Sequence, residues 1–402
     1  MKGDVYIFGD KPGVVEAVRK LGYSPVLIAW TNPLGVERFH YISERYALSG
    51  QFKVQDIPSV DVAQIRGVIP CMEYFVEMAA KFKDHYCPHL PGLDAPRAST
   101  VRDKLLMKAA IQKLGMRSAR FLPIRPNLSW VAIETALGSK VLVKPRRVGG
   151  ARFMTVISTA DEWRTWCGST PDQDNYYLEE FFEGIREFCC DTLVVGGQIL
   201  AQFPGEYSID CLQSNHLHDG FGVVFPGFAS DEQTRQMKEW AAAFIRDLKV
   251  QEGLCHVEFL LHEGEVYFGE IGVRLAGGLQ LPAQSILAGV DLTELYVALF
   301  IQAEAPNISA LRKPEGFVGY HLYAPKAGQV TAIETDWGHP WIVDSKLFVK
   351  VGDVVEPEDS SVAAVGQIIF TAASLEQLKQ RAQLVPALAR FTYSPSSPPP
   401  KS

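Results

Sequence analysis

The sequence predicts an α/β protein in which a parallel α/β unit is followed by a mixed α+β unit and then by a β-rich one. Three observations support this fold class: buried strands alternate with helices at the N-terminus, helices and paired strands mix in the middle, and short strands dominate the last part. Alternation of strands with helices is typical of a parallel sheet. The 402 residues are enough for two to four domains of about 100–200 residues each.

The first predicted unit spans residues 1–98. Apolar strands at Val5–Phe8 and Pro25–Trp30 flank a helix at Val14–Leu21, which makes a βαβ beginning. A further strand within residues 62–70 and a helix at residues 72–82 follow. Prolines and a glycine then indicate a linker that ends near residue 98.

The second predicted unit spans residues 99–305 and contains a lid subdomain at about residues 117–180. Ser99 and Thr100, followed by Asp103, resemble an N-terminal cap for one long helix. The third unit, residues 306–393, is rich in short strands and is expected to close with a helix at Leu375–Ala389. Residues 394–402 form a low-complexity tail that we expect to be disordered.

Composition limits the classes of partner. The net charge of −7 gives no long-range attraction for nucleic acid or for an anionic membrane, so neither is expected as a partner. Seven cysteines without a C-x-x-C pair favour a reduced, cytoplasmic protein. The chain contains no run of about 18 apolar residues, so no membrane span is predicted.

The strongest candidate site is an acidic hairpin at Leu254–Arg274. A three-residue loop at His262–Gly264 predicts that Glu258 pairs with Phe268, and that Glu270 is its diagonal neighbour on the same face, about 7–8 Å away. Two such carboxylates suit Mg²⁺, which is usually held by one or two carboxylates together with substrate phosphates. By themselves, they could equally be solvent-facing strand residues.

Basic residues on both sides of this hairpin add candidates. Arg274 could stabilise a developing anion or simply pair with Glu270. Upstream, Lys144 ends an apolar strand, and the backbone N–H groups of Gly149 and Gly150 can approach phosphate oxygens while Lys144 supplies charge. The glycine patterns of P-loops and of Rossmann folds are absent, and this segment alone is more typical of an ordinary hairpin turn.

In this order, the motifs resemble the ATP-grasp superfamily over about residues 98–303. Lys104 and Lys144 are similar to the two lysines that reach the ATP phosphates, and Arg146–Phe153 resembles the mobile glycine-rich lid. Glu258 and Glu270 resemble the metal-binding acids, and Arg274 resembles the arginine that stabilises an acyl-phosphate. The segment at residues 176–188 resembles the hinge, which implies that adenine and ribose contact Glu179, Glu180, Phe181, Phe182 and Glu187.

Two departures from the family pattern stand out. The hinge has two residues between Gly184 and Glu187, where the pattern has one. Gly272 stands where the pattern E-x-N-x-R has an asparagine that often completes the metal shell. The number of bound metals is therefore left open.

The resemblance implies a carboxylate–amine ligase, and the order of the three units resembles that of the L-amino acid ligases. Such an enzyme would form an amide through an acyl-phosphate, with release of ADP and phosphate. ATP and Mg²⁺ are the expected cofactors, with Mn²⁺ as a substitute. A small carboxylate and a small amine are the expected partners, and a homodimer is a further expectation.

Six positions are candidates for substrate contact, and Arg274, already named above, is one of them. Glu73 could hold an ammonium group, and His216 or His218 could contact substrate or take a proton from the amine. Gly277 and Gly278 could leave room for substrate beside the site. Simpler explanations are a first-turn helix acid for Glu73 and solvent-facing loop positions for the histidines.

Two other functions fit the same motifs. A carboxylase or a carboxylate–thiol ligase would share the acyl-phosphate step and differ only in the acceptor. A nucleotide-binding protein without catalysis is suggested by Gly272. Release of ADP that depends on an added amine would distinguish among the three.

Overall fold

A parallel four-stranded sheet forms the N-terminal part of the protein, as the alternation of strands and helices predicts. The computed structural model describes residues 2–11, 13–33, 35–49, 51–150, 152–210, 220–301, 308–356 and 363–394. The strands pair in the order β3-β2-β1-β4. The elements are β1 (Asp4–Phe8), α1 (Val14–Lys20), β2 (Ser24–Ala29), β3 (Phe39–Tyr41), α2 (Glu44–Ser49), β4 (Ile65–Pro70) and α3 (Val76–Tyr86).

Two helices, α4 (Ala95–Arg102) and α5 (Lys104–Lys113), stand where one helix is predicted. The cap at Ser99 and Thr100 is wrong, because both residues lie inside α4. Asp103 breaks the run with extended backbone (φ −96°, ψ 107°), and its side chain accepts a hydrogen bond from the backbone N–H of Leu105. An aspartate competes well for an N-cap position, so α5 begins directly at Lys104.

The lid subdomain is an antiparallel four-stranded sheet with two helices. Its strands pair in the order β5-β8-β6-β7. The polypeptide then passes through residues 181–185, which lie within the predicted hinge segment 176–188, into a larger sheet. The elements are β5 (Phe121–Pro123), α6 (Trp130–Leu137), β6 (Val141–Pro145), β7 (Thr155–Ile157), α7 (Ala160–Ser169) and β8 (Tyr176–Glu180).

The next segment supplies the centre of that larger sheet and the helices that cover it. Its long hairpin, β12 and β13, is the predicted acidic hairpin. The elements are β9 (Arg186–Val195), β10 (Gln198–Tyr207), β11 (Phe221–Phe225), α8 (Asp231–Asp247), β12 (Gly253–His262), β13 (Glu265–Gly272), α9 (Gln280–Ala288) and α10 (Leu292–Ile301).

The C-terminal elements complete two sheets. They are β14 (Phe317–Tyr323), β15 (Gly328–Thr335), β16 (Ile342–Leu347), β17 (Val354–Val355), β18 (Gly366–Ala372), α11 (Leu375–Leu384) and β19 (Ala389–Ser394). The eight-stranded sheet has the order β13-β12-β9-β10-β11-β14-β18-β16, so strands on both sides of the predicted boundary at residue 305 pair with one another. The other sheet has the order β17-β15-β19. The predicted final helix is too long: α11 ends at Leu384, and Ala389 already belongs to β19.

One hydrophobic core joins the N-terminal sheet to the eight-stranded sheet through α10. It contains Phe8 from β1, Tyr296 and Phe300 from α10, and Tyr320 from β14. The hydroxyl of Tyr296 donates a 2.6 Å hydrogen bond to the carbonyl of Pro70 at the end of β4. This packing fixes the carboxyl ends of β1, β2 and β4 against the hairpin that carries the acidic residues.

Helix length and composition bear on membrane insertion. Among the described residues, no single helix is long and apolar enough to cross a membrane. Only α9 and α10 taken together reach that length, and they are bent by 92° relative to each other. The buried residues of these two helices belong to the hydrophobic core described above, except Gln280, Gln284 and Ala298.

Candidate active site

A cleft of about 750 Å³ lies between the N-terminal sheet, the lid, the acidic hairpin and β14. Its lining residues come from all three predicted units and extend from Asp10 to Tyr320 along the chain. The predicted site residues that line it are Glu73, Lys104, Lys144, Gly149, Gly150, Glu179, Glu187, Glu258, Glu270, Arg274, Gly277 and Gly278.

Three predicted hinge residues have side chains outside this cleft, so only their backbone could face a nucleotide. Aromatic and charged partners on the outer surface hold them there. The contacts are an ion pair of Glu180 with Arg120, the Lys140 ammonium 4.3 Å from the ring centre of Phe181, and a stacked pair of Phe182 and His262 with ring centres 4.6 Å apart.

The turn of the acidic hairpin is tighter than predicted. Glu263 and Gly264 alone join the two strands, instead of three residues. Both have positive φ, 50° and 83°, as a two-residue type I′ turn requires. The shorter loop moves the register by one residue, so Phe268 pairs with Phe259 and the predicted pairing of Glu258 with Phe268 is wrong.

A β-bulge then brings the two acids closer in register than the predicted diagonal. The pairing changes between Val257↔Ile271 and Phe259↔Phe268, which leaves Gly269 and Glu270 facing the single residue Glu258. A Cβ at position 269 would lie 2.9 Å from the carbonyl oxygen of Glu258, so the bulge needs glycine there. Both carboxylates line the cleft.

A buried polar chain behind Glu258 compensates its charge. The Glu258 carboxylate contacts His256 Nε2 at 3.0 Å and accepts a 3.2 Å hydrogen bond from the Tyr207 hydroxyl. His256 Nδ1 lies 2.6 Å from Asp191, which also accepts a hydrogen bond from the Gln284 amide. Burial lowers the pKa of His256, but Asp191 and Glu258 outweigh burial and raise that pKa to about 10. Both acids therefore face an imidazolium.

Glu258 and Glu270 are suited to a hard divalent cation, because each offers carboxylate oxygens to the same cleft. Within the described residues, no group of three or more His, Cys, Asp or Glu side chains is arranged to hold a metal by itself. Mg²⁺ favours a coordination shell in which one or two protein carboxylates are completed by phosphate oxygens and water. The residues present thus fit Mg²⁺ that is bound together with a nucleotide.

The space beside Gly272 is already filled. A Cβ at this position would lie 2.8 Å from Glu73 Oε2 and 3.2 Å from Arg274 Nε. An asparagine there would collide with the ion pair between those two side chains. The missing third metal ligand and the Glu73–Arg274 pair are therefore linked features of this protein.

Arg274 is held by Glu73, rather than by Glu270 as the simpler interpretation proposed. Its Nε donates a 2.7 Å hydrogen bond to Glu73 Oε2, while Arg102 pairs with the other oxygen of Glu73. Burial raises the pKa of Glu73, but Arg102, Arg274 and Lys104 outweigh burial and lower that pKa to about 2. The carboxylate that was a candidate for an ammonium group is thus already bound by two guanidinium groups.

The two predicted phosphate lysines lie in the cleft and point at carboxylates. Lys104 Nζ lies 3.0 Å from Glu270 and donates a 2.9 Å hydrogen bond to the carbonyl of Val148 in the lid. Lys144 Nζ donates to Glu179 at 2.8 Å. Burial lowers the pKa of Lys144, but Glu179, Glu270 and Glu187 outweigh burial and raise it. Lys144 is therefore charged at the edge of the cleft.

Glu179 is buried among cationic and hydroxyl partners at the cleft. One of its oxygens accepts from Lys144 and the other pairs with Lys108 at 2.7 Å, while the Tyr177 hydroxyl donates to it at 3.0 Å. Only 3% of the Glu179 side chain is exposed. Burial raises its pKa, but the two lysines outweigh burial and lower it to about 2. Glu179 thus fixes Lys144 at the edge of the cleft.

The glycine-rich lid lies against the N-terminal unit. The Tyr74 hydroxyl donates a 3.2 Å hydrogen bond to the carbonyl of Gly149, and Arg152 pairs with Glu44 at 2.6 Å. At the base of the lid, Arg146 pairs with Asp103. These contacts hold the glycine-rich lid beside the part of the cleft that Lys104 and Lys144 line.

Several residues that line the cleft are missing from the sequence-based prediction. Lys11 lies three residues after β1, and Trp30 directly follows β2. Ligands bind in such sheets in a crevice outside the carboxyl ends of the parallel strands. His256 could have been found as the same-face neighbour two positions before Glu258. Tyr207 and Tyr320 had no local signal, since distant pairings bring them in. His216 and His218 lie outside the described residues, so their roles stay predictions.

Comparisons with known proteins agree on one architecture. The family model of the L-amino acid ligase C-terminal domain 2 matches residues 320–394. An L-arginine-specific L-amino acid ligase of Bacillus subtilis is 25% identical over 321 residues, which cover 75% of this chain and 73% of the relative.

Two solved structures have the same fold along almost the whole chain. An L-amino acid ligase from Bacillus licheniformis superposes with a TM-score of 0.74 at 16% identity, covering 98% of this chain and 99% of the other. The biotin carboxylase domain dimer of Hydrogenobacter thermophilus 2-oxoglutarate carboxylase, in complex with MgADP, ADP and bicarbonate, gives a TM-score of 0.71 at 16% identity, covering 97% and 91%. The predicted fold class is confirmed.

Proposed function

We propose that this chain, which has the ATP-grasp fold and resembles the L-amino acid ligases, is an ATP-dependent carboxylate–amine ligase. It would join the carboxylate of one amino-acid-like substrate to the amine of another and release ADP and phosphate. The observation that carries the proposal is one cleft that collects two lysines, two facing carboxylates and an arginine anchored by Glu73.

The phosphate end of the cleft would bind ATP. Lys104 and Lys144 would exchange part of their contacts with Glu270 and Glu179 for phosphate oxygens. Glu258 and Glu270 would hold Mg²⁺, or Mn²⁺ in its place, which supplies neutralisation of phosphate charge when bound. The lid would close over the phosphates through its contacts with the N-terminal unit and exclude water.

The reaction would proceed in two balanced steps. A carboxylate oxygen of the first substrate attacks the γ-phosphorus of ATP, so that ADP leaves and an acyl-phosphate forms. The amine nitrogen of the second substrate then attacks the acyl carbon, phosphate leaves, and the amine loses a proton. Arg274 lies where it could bind the acyl-phosphate, and Glu73 and the Leu275 carbonyl fix its orientation.

A phosphate-release assay with pairs of L-amino acids, ATP and Mg²⁺ tests this proposal. Wild-type protein should release phosphate only when a suitable acid and amine are both present, in equal amount to the amide formed. Glu270→Gln should lower kcat/KM by at least about 100-fold, the scale of losing one group that stabilises the transition state. Glu265→Gln is the matched control, because Glu265 lies on the same strand but is 57% exposed and pairs with Arg117.

Three outcomes would contradict the proposal. Full activity of Glu270→Gln would exclude the metal assignment. Phosphate release that depends on bicarbonate but not on an amine would indicate a carboxylase. Tight binding of ATP without phosphate release, under every acid and amine combination, would indicate a nucleotide-binding protein without catalysis.

A further inference from the structure

The cleft contains one cation without a carboxylate partner among the described residues. Lys11, on the loop after β1, lines the cleft, and its Nζ donates a hydrogen bond to the backbone carbonyl of Ala276. The other lysine and arginine side chains that line the cleft all pair with a carboxylate: Lys104 with Glu270 at 3.0 Å, Lys144 with Glu179 at 2.8 Å, Arg152 with Glu44 at 2.6 Å and Arg274 with Glu73 at 2.7 Å.

The surroundings of Lys11 make an unpaired ammonium unfavourable. Burial and the nearby Arg274 guanidinium lower its pKa to about 8. The neighbouring acid, Asp10, instead accepts a hydrogen bond from Thr31. A cation in such a place is stabilised by an anion that arrives from outside. A carboxylate would supply that charge and accept hydrogen bonds from an ammonium that has three N–H donors.

The position of Lys11 separates it from the nucleotide machinery. The phosphate lysines come from α5 and β6, whereas Lys11 comes from the carboxyl end of the N-terminal sheet. Its contact with Ala276 places it beside the backbone between Arg274 and Gly277. The far wall there is Tyr320, whose hydroxyl would lie 3.1 Å from a Cβ at position 278. This end of the cleft is therefore next to the arginine that would bind the acyl-phosphate, and its walls come from other elements than those that carry the two phosphate lysines.

We propose that Lys11 binds the free carboxylate of the amine substrate, and thereby selects amino acids over simple amines as acceptors. The inference rests on the proposed ligase function and assigns the second substrate to the end of the cleft between the N-terminal sheet and Tyr320. Lys11 holds the acceptor so that its amine faces the acyl group beside Arg274. It takes no part in the transfer of phosphate.

Acceptors with and without a carboxylate test this assignment. Hydroxylamine serves as a carboxylate-free amine, and its product is a hydroxamate that can be measured directly. Each L-amino acid that supports phosphate release is compared with its α-amide. In Lys11→Met, the KM of the amino acid acceptor should rise by about 10- to 100-fold, the scale of losing a charge-assisted hydrogen bond. The KM values of the amide and of hydroxylamine should change by less than about 3-fold on the same scale.

Two further variants serve as controls. Lys11→Arg keeps the charge and should recover part of the affinity for the amino acid acceptor. Lys20→Met removes a lysine of α1 that is 67% exposed, pairs with Glu294 and does not line the cleft, so it should leave every KM unchanged. Unchanged binding of ATP to Lys11→Met, measured by calorimetry, shows that this variant is folded.

The possible failures are distinguishable. If the wild-type protein forms neither peptide nor hydroxamate, the proposed function is wrong. If it forms both and Lys11→Met weakens the amino acid, its amide and hydroxylamine equally, the carboxylate contact is wrong. A rise in the KM of the phosphorylated acid alone would place Lys11 at the first substrate and also overturn the inference.

Discussion

The absence of a side chain at Gly272 and the ion pair between Glu73 and Arg274 depend on each other. We expect Gly272→Asn to lower kcat/KM for phosphate release instead of improving it, although asparagine is the residue of the related pattern. Its Cβ would lie 2.8 Å from Glu73 Oε2 and would displace the Glu73–Arg274 pair. A misplacement of about 1 Å in a catalytic group can cost about 100-fold.

The control for this variant uses the same substitution on the same hairpin. Gly264→Asn should be tolerated, because no atom lies within 4 Å of a Cβ built there and asparagine tolerates its φ of 83° better than most residues. Higher activity or tighter Mg²⁺ binding by Gly272→Asn would show that the position can still accept a metal ligand, and would contradict this expectation.

His256 is the second residue where burial makes a change costly. His256→Ala leaves the carboxylates of Asp191 and Glu258 without the imidazolium between them. We expect the free energy of unfolding to fall by about 3–5 kcal/mol, as when one partner of a buried ion pair is removed. Urea unfolding followed by circular dichroism measures it.

A second substitution makes this expectation specific. Adding Asp191→Asn to His256→Ala removes one of the two stranded charges, so the double variant should recover part of the lost stability. His262→Ala, at the end of the same strand, loses a stacking contact with Phe182, and should cost about 1 kcal/mol. If His256→Ala and His262→Ala lowered the free energy of unfolding equally, the buried ion pairs of His256 with Asp191 and Glu258 would not contribute as expected.

The sequence predicts part of this site and misses the rest for physical reasons. Glu258, Glu270 and Arg274 are separated by short, regular spacings along one hairpin, so local pattern and motif order identify them. The register between the two acids depends on one bulge at Gly269 that no local pattern announces. Lys11 carries no motif, and only the packing of the N-terminal sheet brings it to Ala276.

At the scale of elements, the break between α4 and α5 connects helix capping to the lid. Asp103 caps α5 through Leu105 and pairs with Arg146 at the base of the lid. We expect Asp103→Asn to raise the KM for ATP several-fold, since asparagine keeps the cap but loses the charge that orients Arg146. Asp103→Ala should lose the cap as well, at a cost of about 1 kcal/mol.

Asp94 offers a matched control, because it caps α4 and makes its ion pair within the same helix, with Arg97. Asp94→Asn should leave the KM for ATP unchanged. If Asp94→Asn and Asp103→Asn alter that KM equally, the effect comes from general loosening of the two helices and not from the lid.

At the scale of the whole molecule, buried ion pairs hold the units together and give stability a defined pH dependence. Glu73 ties the N-terminal unit to Arg274, and Glu179 ties the lid to Lys108 on α5. Both carboxyl groups have their pKa lowered from 4.5 to about 2. A carboxyl with a depressed pKa stabilises the fold above its unfolded pKa and loses that contribution as pH falls toward its folded pKa.

We therefore expect the melting temperature to fall steeply as the pH is lowered from 4.5 to about 2. Glu73→Gln and Glu179→Gln should each melt lower at pH 7 but show a shallower fall over that range. Glu265→Gln, an exposed control, should follow the wild type. Parallel curves for wild type and the two buried variants would mean that other groups control acid unfolding.

The order of the three units along the chain was predictable, but the strand pairing that joins the second unit to the third was not. Strand and helix patterns identify a parallel beginning, a central hairpin and a β-rich end. The pairing of β11 with β14 across the predicted boundary is a contact between residues distant in sequence, and strand pattern alone does not choose such partners. It carries Tyr320 into the cleft wall.

The two arginines on Glu73 become available at very different times while the chain is synthesised. Glu73 and Arg274 are 201 positions apart, whereas Arg102 follows Glu73 by only 29. At about 5–20 residues per second, a ribosome needs roughly 10–40 s to progress from Glu73 to Arg274. For most of that interval Arg102 can already neutralise the Glu73 carboxylate, so the N-terminal unit can fold around this acid before Arg274 exists. The guanidinium of Arg274 then completes a contact that is half formed, and the cleft takes shape only after the N-terminal unit.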